Sequence, residues 1–262
     1  MTPTPDRLFD TAKSCSIPLF FAELYPNGNV RDPNIRGATA LLWESPSGRF
    51  LVTAAHVWTT LADLKVKNTS SGHIVLPDHP GHMVLDDAVV VGFDDRLDLA
   101  VLSVPMLKER APHGKTFFRA SKWPPEPLRS GSKVAFHGYP GRLRQSSDKM
   151  LFLDPLYMEG NCDVSASGQV MMFPHDRTES LWTLGPNPDL SHPFAHATPA
   201  EILSNFPKDL GGISGGALFA LIEGEPSWVG VIKEGTGDCN QFCVRITPSN
   251  AIRVDGSIQP VP

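Results

Sequence analysis

Cysteine is scarce in this chain, with four among 262 residues: Cys15, Cys162, Cys239 and Cys243. A disulfide-stapled secreted scaffold carries more. A chain of this length buries enough apolar surface without staples, as one large domain or two small ones. Cys239 and Cys243 stand four apart in GDCNQFCVRI, but no second cysteine pair completes a four-ligand zinc site. Free thiols are the expectation, and neither a metal nor an organic cofactor is called for. Long hydrophobic runs are missing as well: none approaches the roughly 18 residues of a membrane span. The short apolar run at 17–22 has no basic segment ahead of it. The expectation is a cytoplasmic chain with no export signal and no membrane contact. Charge of one sign is also lacking, since 19% of residues are charged and the formal net charge is -5. That composition excludes a disordered tail or a polyanion binder, so nucleic acid is not an expected partner.

What is abundant is punctuation. Gly 22 and Pro 25 break the chain into short pieces rich in Val, Ile, Leu and Phe, the pattern of an all-β protein with many turns and no long amphipathic helix. In the first half, strands are predicted at 37–43 (GATALLW), 49–53 (RFLVT), 87–93 (DAVVVGF) and 99–104 (LAVLSV). The turn SPSG at 45–48 makes the first two a hairpin. The segment 122–131, KWPPEPLRSG, has consecutive prolines that cannot sit inside a sheet and marks a boundary between two β subdomains. In the second half, strands are predicted at 133–138, 169–173, 217–222, 227–232 and 242–246. A short helix after Ile246 would be capped by Ser249 or Asn250. The stretch 183–209 reads as a long loop with six prolines or glycines, and no period of 20 to 50 residues recurs.

The segment GGISGGALF, 211–219, embeds a serine among four glycines directly before an apolar strand. Glycines on both sides let the backbone curl so that successive N–H groups point into one concavity, with the serine at its edge. Such a nest binds an oxyanion, and each preorganised donor is worth about 2.7–4 kcal/mol in acyl transfer. The donors expected here are the N–H groups of Gly212 and Ser214. A phosphate loop of the GxxxxGK[ST] kind is excluded, because no lysine follows the glycines.

A serine hydroxyl needs a base that titrates near neutrality, which points to histidine. Among nine histidines, His56 ends the run FLVTAAH, where an apolar strand gives way to small residues that let the chain turn. His137 in AFHGYPG is the rival, and a packing role at a strand end suits it better. The base in turn needs a buried acceptor to fix its tautomer. In FDDRLDLAVLSV, Asp94 and Asp95 sit in the turn, whereas Asp98 touches the following apolar strand. A carboxylate drawn inside without a partner would cost several kcal/mol, on the order of 3–5, so one is expected for it.

Together TAAH (53–56), DLAVL (98–102) and GISGG (212–216) resemble the three signature blocks of the trypsin-like serine peptidases, particularly their bacterial branches. The order His, Asp, Ser is that of this family and not of subtilisins or α/β-hydrolases. The resemblance implies two antiparallel β-barrel subdomains with the active site between them. It divides the chain into an N-terminal extension (1–36), a first barrel (37–123) with His56 and Asp98, a second barrel (124–254) with Ser214, and a tail (255–262). It implies a serine endopeptidase acting on a protein or peptide through an acyl-enzyme. The alternative is a protease-fold binding protein, catalytically weak or gated by an activating partner. VGVIKEG (229–235) resembles the strand that pairs with the substrate backbone, which makes Lys233 and Gly235 candidate substrate-binding residues. Lys233 departs from the family, which commonly has a serine there supporting the triad aspartate. Six residues before Ser214 stands Lys208, followed by Asp209. If Lys208 lines the primary pocket an acidic substrate side chain is favoured, and if Asp209 does, a basic one.

Overall fold

Short apolar runs pair into two antiparallel systems, one of which closes on itself. The computed structural model describes residues 7–24, 37–67, 72–78, 81–141, 144–147, 150–153, 156–165, 169–174, 211–237 and 242–259. The first lobe is built from α1 (Arg7–Cys15), β1 (Ser16–Glu23), β2 (Gly37–Ser45), β3 (Gly48–Thr53), α2 (Ala55–Lys67), β4 (Gly72–Asp78), β5 (Gly81–Val84), β6 (Val89–Asp94), β7 (Leu99–Ser103), α3 (Pro105–Glu109) and β8 (Phe118–Arg119). The second comprises β9 (Lys133–Gly138), β10 (Arg144–Ser147), β11 (Met150–Leu153), β12 (Leu156–Val164), β13 (Gln169–Pro174), β14 (Ala217–Ile222), β15 (Glu225–Gly237) and β16 (Phe242–Pro248).

In the second lobe, strands β12, β13, β16, β15, β14 and β9 form a closed six-stranded barrel, and β10 with β11 makes a separate hairpin. In the first, the order is β5, β4, β1, β2, β3, β7, β6, with β8 lying parallel to β2. Among the described residues this path ends at β5 and β6, so the first lobe is an eight-stranded sheet, antiparallel but for β8, and with the closed barrel of the second lobe it makes the all-β, two-lobed architecture expected. Among the described residues no helix is long and apolar enough to cross a membrane.

Alternation along the strands sorts side chains between three cores. On β2, Ala38, Ala40 and Leu42 face a core inside the first lobe, shared with Leu19, Leu51, Leu76 and Leu61 of α2. Its other face sends Leu41 and Trp43 into a central core with Val101, Phe219 and Trp228. Within the barrel, Val134 and Phe136 of β9 meet Leu218, Ile232 and Val244. A strand buried on both faces reads as a continuous apolar run, which is why the sequence marked β2, β7 and β14 so clearly. At the centre, Trp43 packs on Phe50, Trp123 and Trp228, with ring centroids 5.4, 5.0 and 5.6 Å away. Trp123 belongs to the proline-rich crossing, so that segment is pinned to the seam between the lobes.

Several expectations need correction. The segment 1–36 is not an extension, because β1 lies between β2 and β4 inside the first sheet. Pro18 concealed it: a proline argues against a central strand. Here Pro18 falls in the part of β1 that pairs with β2 only, while Phe20 to Glu23 pair with β4. The 13-residue α2 was not anticipated, since its sequence AHVWTTLADLKVK buries little beyond Ala55, Val57 and Leu61. The helix after Ile246 is one 3₁₀ turn, Ser249–Ala251, preceded by Pro248. Its Ser249 hydroxyl donates to the Trp228 carbonyl at 2.7 Å instead of capping. The tail is docked, with Ile252 bridging to Ile258. The long loop at 183–209 lies outside the described residues, as does Cys239; the three described cysteines are free.

Where α1 meets the barrel, Lys115 donates to the Lys13 carbonyl at 2.9 Å and lies 3.1 Å from the Tyr139 hydroxyl. Burial lowers its pKa from 10.5 to about 8, against an opposing pull from Cys15. The folded value lies below the unfolded one, so between the two the unfolded chain binds more protons and stability rises with pH. Below about 8 both states hold the proton, and the fold carries the full penalty of a buried ammonium. Measured by urea unfolding, the stability of the native chain relative to Lys115→Met should therefore rise between pH 8 and 10.5, by on the order of 1–3 kcal/mol. Burial raises the Cys15 thiol and the Tyr139 hydroxyl, which lowers stability over the alkaline range in both chains, so the difference between the two isolates Lys115.

Candidate active site

The seam between the lobes opens into a cleft of about 540 Å³, lined by His56, Arg96, Asp98, Gly211, Ser214, Lys233, Glu234, Gly235 and Arg245. Of the residues expected to carry chemistry, His56, Asp98, Ser214, Lys233 and Gly235 all reach this one space. Gly212 lies in the same loop as Ser214. Lys208 and Asp209 lie outside the described residues. His137 is buried within β9, its ring edge-on to Tyr139, and burial pushes its pKa well below the usual value. It does not line the cleft.

His56 is the second residue of α2, and its ring is half-exposed. A helix N-terminus leaves its first N–H groups without intrahelical partners. Asp98 fills that gap from across the sheet: one carboxylate oxygen accepts the His56 backbone N–H at 2.9 Å, and the other lies 2.8 Å from Nδ1 of the ring. An ionised carboxylate only accepts, so Nδ1 carries a proton, and in the neutral ring the lone pair is on Nε2. Burial pushes the Asp98 carboxyl up, but the two hydrogen bonds from His56 and the charges of His56 and Lys233 together hold it below the usual range. Asp98 sits at φ +55°, in the left-handed region. For a non-glycine residue this costs on the order of 1 kcal/mol, and it clusters at functional sites. The turn before it is braced by Asp94, whose Oδ1 accepts the N–H groups of Arg96 at 2.8 Å and Leu97 at 2.9 Å. The Thr247 hydroxyl of β16 donates to the Leu97 carbonyl, tying this turn to the barrel.

The loop that carries Ser214 is tied down from the opposite lobe, chiefly by Thr39 on β2. Thr39 donates its N–H to the Ser214 carbonyl at 3.1 Å and its hydroxyl to the Gly212 carbonyl at 2.8 Å. The same hydroxyl accepts the Tyr139 N–H at 3.0 Å, and the Thr39 carbonyl accepts the Thr53 hydroxyl at 2.9 Å. Gly215 takes φ +85°, and a Cβ there would collide with the Thr53 hydroxyl and the Thr39 carbonyl. Only glycine fits. Gly215 and Gly216 direct their N–H groups to the carbonyls of Ile232 and Ile213. Among the described residues, the N–H groups of Gly212 and Ser214 bond to nothing and remain available.

The Ser214 hydroxyl does not bond to His56. It donates to the carbonyl of Lys233 at 2.6 Å. Lys233 stands at a break in register on β15, between Ile232 opposite Ile246 and Glu234 opposite Arg245, so its carbonyl is freed from the ladder and turned to the cleft. No group of three or more His, Cys, Asp or Glu residues suited to a metal occurs among the described residues.

Sequence reasoning missed Thr39, Thr53, Arg96 and Arg245. Nothing local marks Thr39 in GATALLW beyond a polar residue in an otherwise apolar run, which was itself a signal: a buried hydroxyl must be satisfied, and here it both donates and accepts.

No family model matches the chain, and no curated protein is similar to it in sequence. Solved structures with a similar chain course include a thermostable serine protease from an extremophilic microorganism. It shares 15% identity over 92% of this chain and 94% of that one, with a TM-score of 0.44. The protease Anisep from Arthrobacter nicotinovorans shares 11% identity over 90% of this chain and 91% of its own, with a TM-score of 0.44. A human pathogenic astrovirus serine protease shares 13% identity over 90% and 91%, with a TM-score of 0.43.

Replacing Thr39 by valine keeps its volume but strands the Gly212 carbonyl and the Tyr139 N–H. At about 1–3 kcal/mol for each buried unsatisfied group, the variant should lose roughly 2–5 kcal/mol in urea unfolding, and Thr39→Ser should recover most of it. Gly215→Ala should be at least as damaging, through both the collision and the φ.

Proposed function

We propose that the chain is a serine endopeptidase in which Ser214 is the nucleophile, His56 the general base and acid, and Asp98 the group that orients His56. The observation that carries this reading is the two-point grip of Asp98 on His56, which engages Nδ1 and leaves Nε2 as the ring nitrogen not held by Asp98, in the cleft that also holds Ser214.

In the reaction, His56 Nε2 takes the Ser214 proton as Oγ attacks the scissile carbonyl carbon, and the carbonyl π electrons move onto oxygen. The free N–H groups of Gly212 and Ser214 receive that oxyanion. Collapse expels the amine, which leaves with the proton from His56, and forms the acyl-enzyme. Water then repeats the sequence, releasing the acid and restoring Ser214. Asp98 stays ionised and stabilises the imidazolium. All of this is done by protein groups.

Before attack, Ser214 must exchange its bond to the Lys233 carbonyl for one to His56. An extended substrate supplies the reason to exchange: its backbone N–H needs an acceptor, and the Lys233 carbonyl is the one freed from the β15 ladder. Substrate binding thus competes for Lys233 and releases the hydroxyl. The same bond favours a second reading, a protease-fold binding protein whose serine is held off its base until an activating partner displaces it. Free thiols at Cys15, Cys162 and Cys243 suit a reducing compartment such as the cytoplasm, where such restraint protects the host.

A fluorophosphonate probe should label Ser214 in the native chain and leave Ser214→Ala untouched, read by intact mass and peptide mapping. Asp98→Asn should keep the fold yet reduce turnover by about ten-thousandfold, because His56 loses its tautomer. A folded sample that resists labelling across the neutral range would overturn the enzyme in favour of the binding protein.

A further inference from the structure

The wall of the cleft formed by β15 is an open strand edge. Pairing of β15 with β14 ends at Val231 opposite Ala217, and the last bonds on that side run from Ile232 to Gly215 and Gly216. From Lys233 to Gly235, β15 pairs as a strand only with β16 among the described residues, through Glu234 opposite Arg245 and Gly235 opposite Val244, and the Lys233 carbonyl takes the Ser214 hydroxyl instead of a strand partner. An extended peptide can add here as one more strand, with backbone bonds giving affinity and side-chain contacts giving selection.

The charges around this edge are unbalanced. Arg245 is paired with Glu234 at 2.9 Å, so each largely cancels the other. Asp98 spends both carboxylate oxygens on His56. That leaves Arg96 and Lys233, neither of which has a carboxylate within ion-pair distance among the described residues. They come from different lobes: Arg96 from the β6–β7 turn two residues before Asp98, Lys233 from the freed position on β15. A peptide on the β15 edge runs between them. Other cations of the surface are paired, as Arg7 with Glu225, Arg110 with Asp78, and Arg119 with Glu44; what sets Arg96 and Lys233 apart is that both line the cleft.

We infer that this cleft selects peptides with acidic side chains next to the segment lying on β15, through Arg96 and Lys233 as specificity-determining residues. The inference rests on the peptidase reading of the same site, and it assigns the substrate class that the sequence left open between Lys208 and Asp209. Both side chains are at least partly exposed, so each ion pair contributes modestly and is screened by salt.

Cleavage of a proteome-derived peptide library by the native chain should yield sites enriched in Asp or Glu within the few residues before the scissile bond. The enrichment should fall in Arg96→Gln and in Lys233→Gln, and stay unchanged in Arg110→Gln, whose cation is remote. Cleavage without acidic enrichment overturns the inference and leaves the peptidase intact. A second measurement is independent of turnover: fluorescence anisotropy of a labelled (Glu-Val)₅ peptide and its (Gln-Val)₅ counterpart, titrated with Ser214→Ala at low ionic strength. The acidic peptide should bind about tenfold more tightly. That margin should shrink with salt and disappear when Arg96→Gln and Lys233→Gln are combined. Equal binding of the two peptides overturns the inference even where no cleavage is seen.

Discussion

Thr39 is the point on which the cleft depends. It belongs to β2 of the first lobe, yet its hydroxyl and N–H hold the carbonyls of Gly212 and Ser214, which belong to the second. The same hydroxyl accepts the Tyr139 N–H at the end of β9. One buried side chain therefore joins the sheet of the first lobe to the loop that carries Ser214 in the second. Buried hydrogen bonds of this kind add about 1 kcal/mol each when made but cost more when broken, because the stranded partner cannot find water. The arrangement has little slack, and Gly215, closed against Thr53 and Thr39, removes what remains.

Asp98 performs two tasks with one carboxylate. It satisfies a helix N-terminus that α2 leaves open, and it fixes the His56 ring. A side chain within the helix could have capped α2, but it could not have reached Nδ1 as well. Reaching both requires a residue from a neighbouring strand held at positive φ, and the brace from Asp94 with the bond from Thr247 offsets that strain. The turn that holds Asp98 also carries Arg96, so the carboxylate that grips His56 and one cation of the cleft wall come from one short segment.

Much of the fold was legible because β2, β7, β9 and β14 are buried on both faces and announce themselves as unbroken apolar runs. Two segments that depart from this pattern were not legible. The α2 helix buries only a narrow stripe, and β1, though buried on both faces, carries Pro18. Glycine bracketing marked Ser214, and the junction of a turn with an apolar strand marked Asp98, since both are consequences of local backbone geometry. Thr39 gave only the faint signal of a hydroxyl in an apolar strand.

The residue types and their order were determined by the sequence alone: a histidine at a strand end, an aspartate entering a strand, a serine within glycines, and lobes divided by a proline-rich crossing. Only the tertiary structure decided which partners these groups take. It showed that the Ser214 hydroxyl rests on the Lys233 carbonyl, that Asp98 grips His56 at two points, and that Arg96 and Lys233 line one cleft without an ion-pair partner among the described residues. The reason is physical. Local chemistry depends on neighbours a few residues away, which spacing reveals. Hydrogen bonds and charge balance in a cleft depend on atoms brought together from positions 100 and 173 residues apart, such as Tyr139 and Gly212 on Thr39.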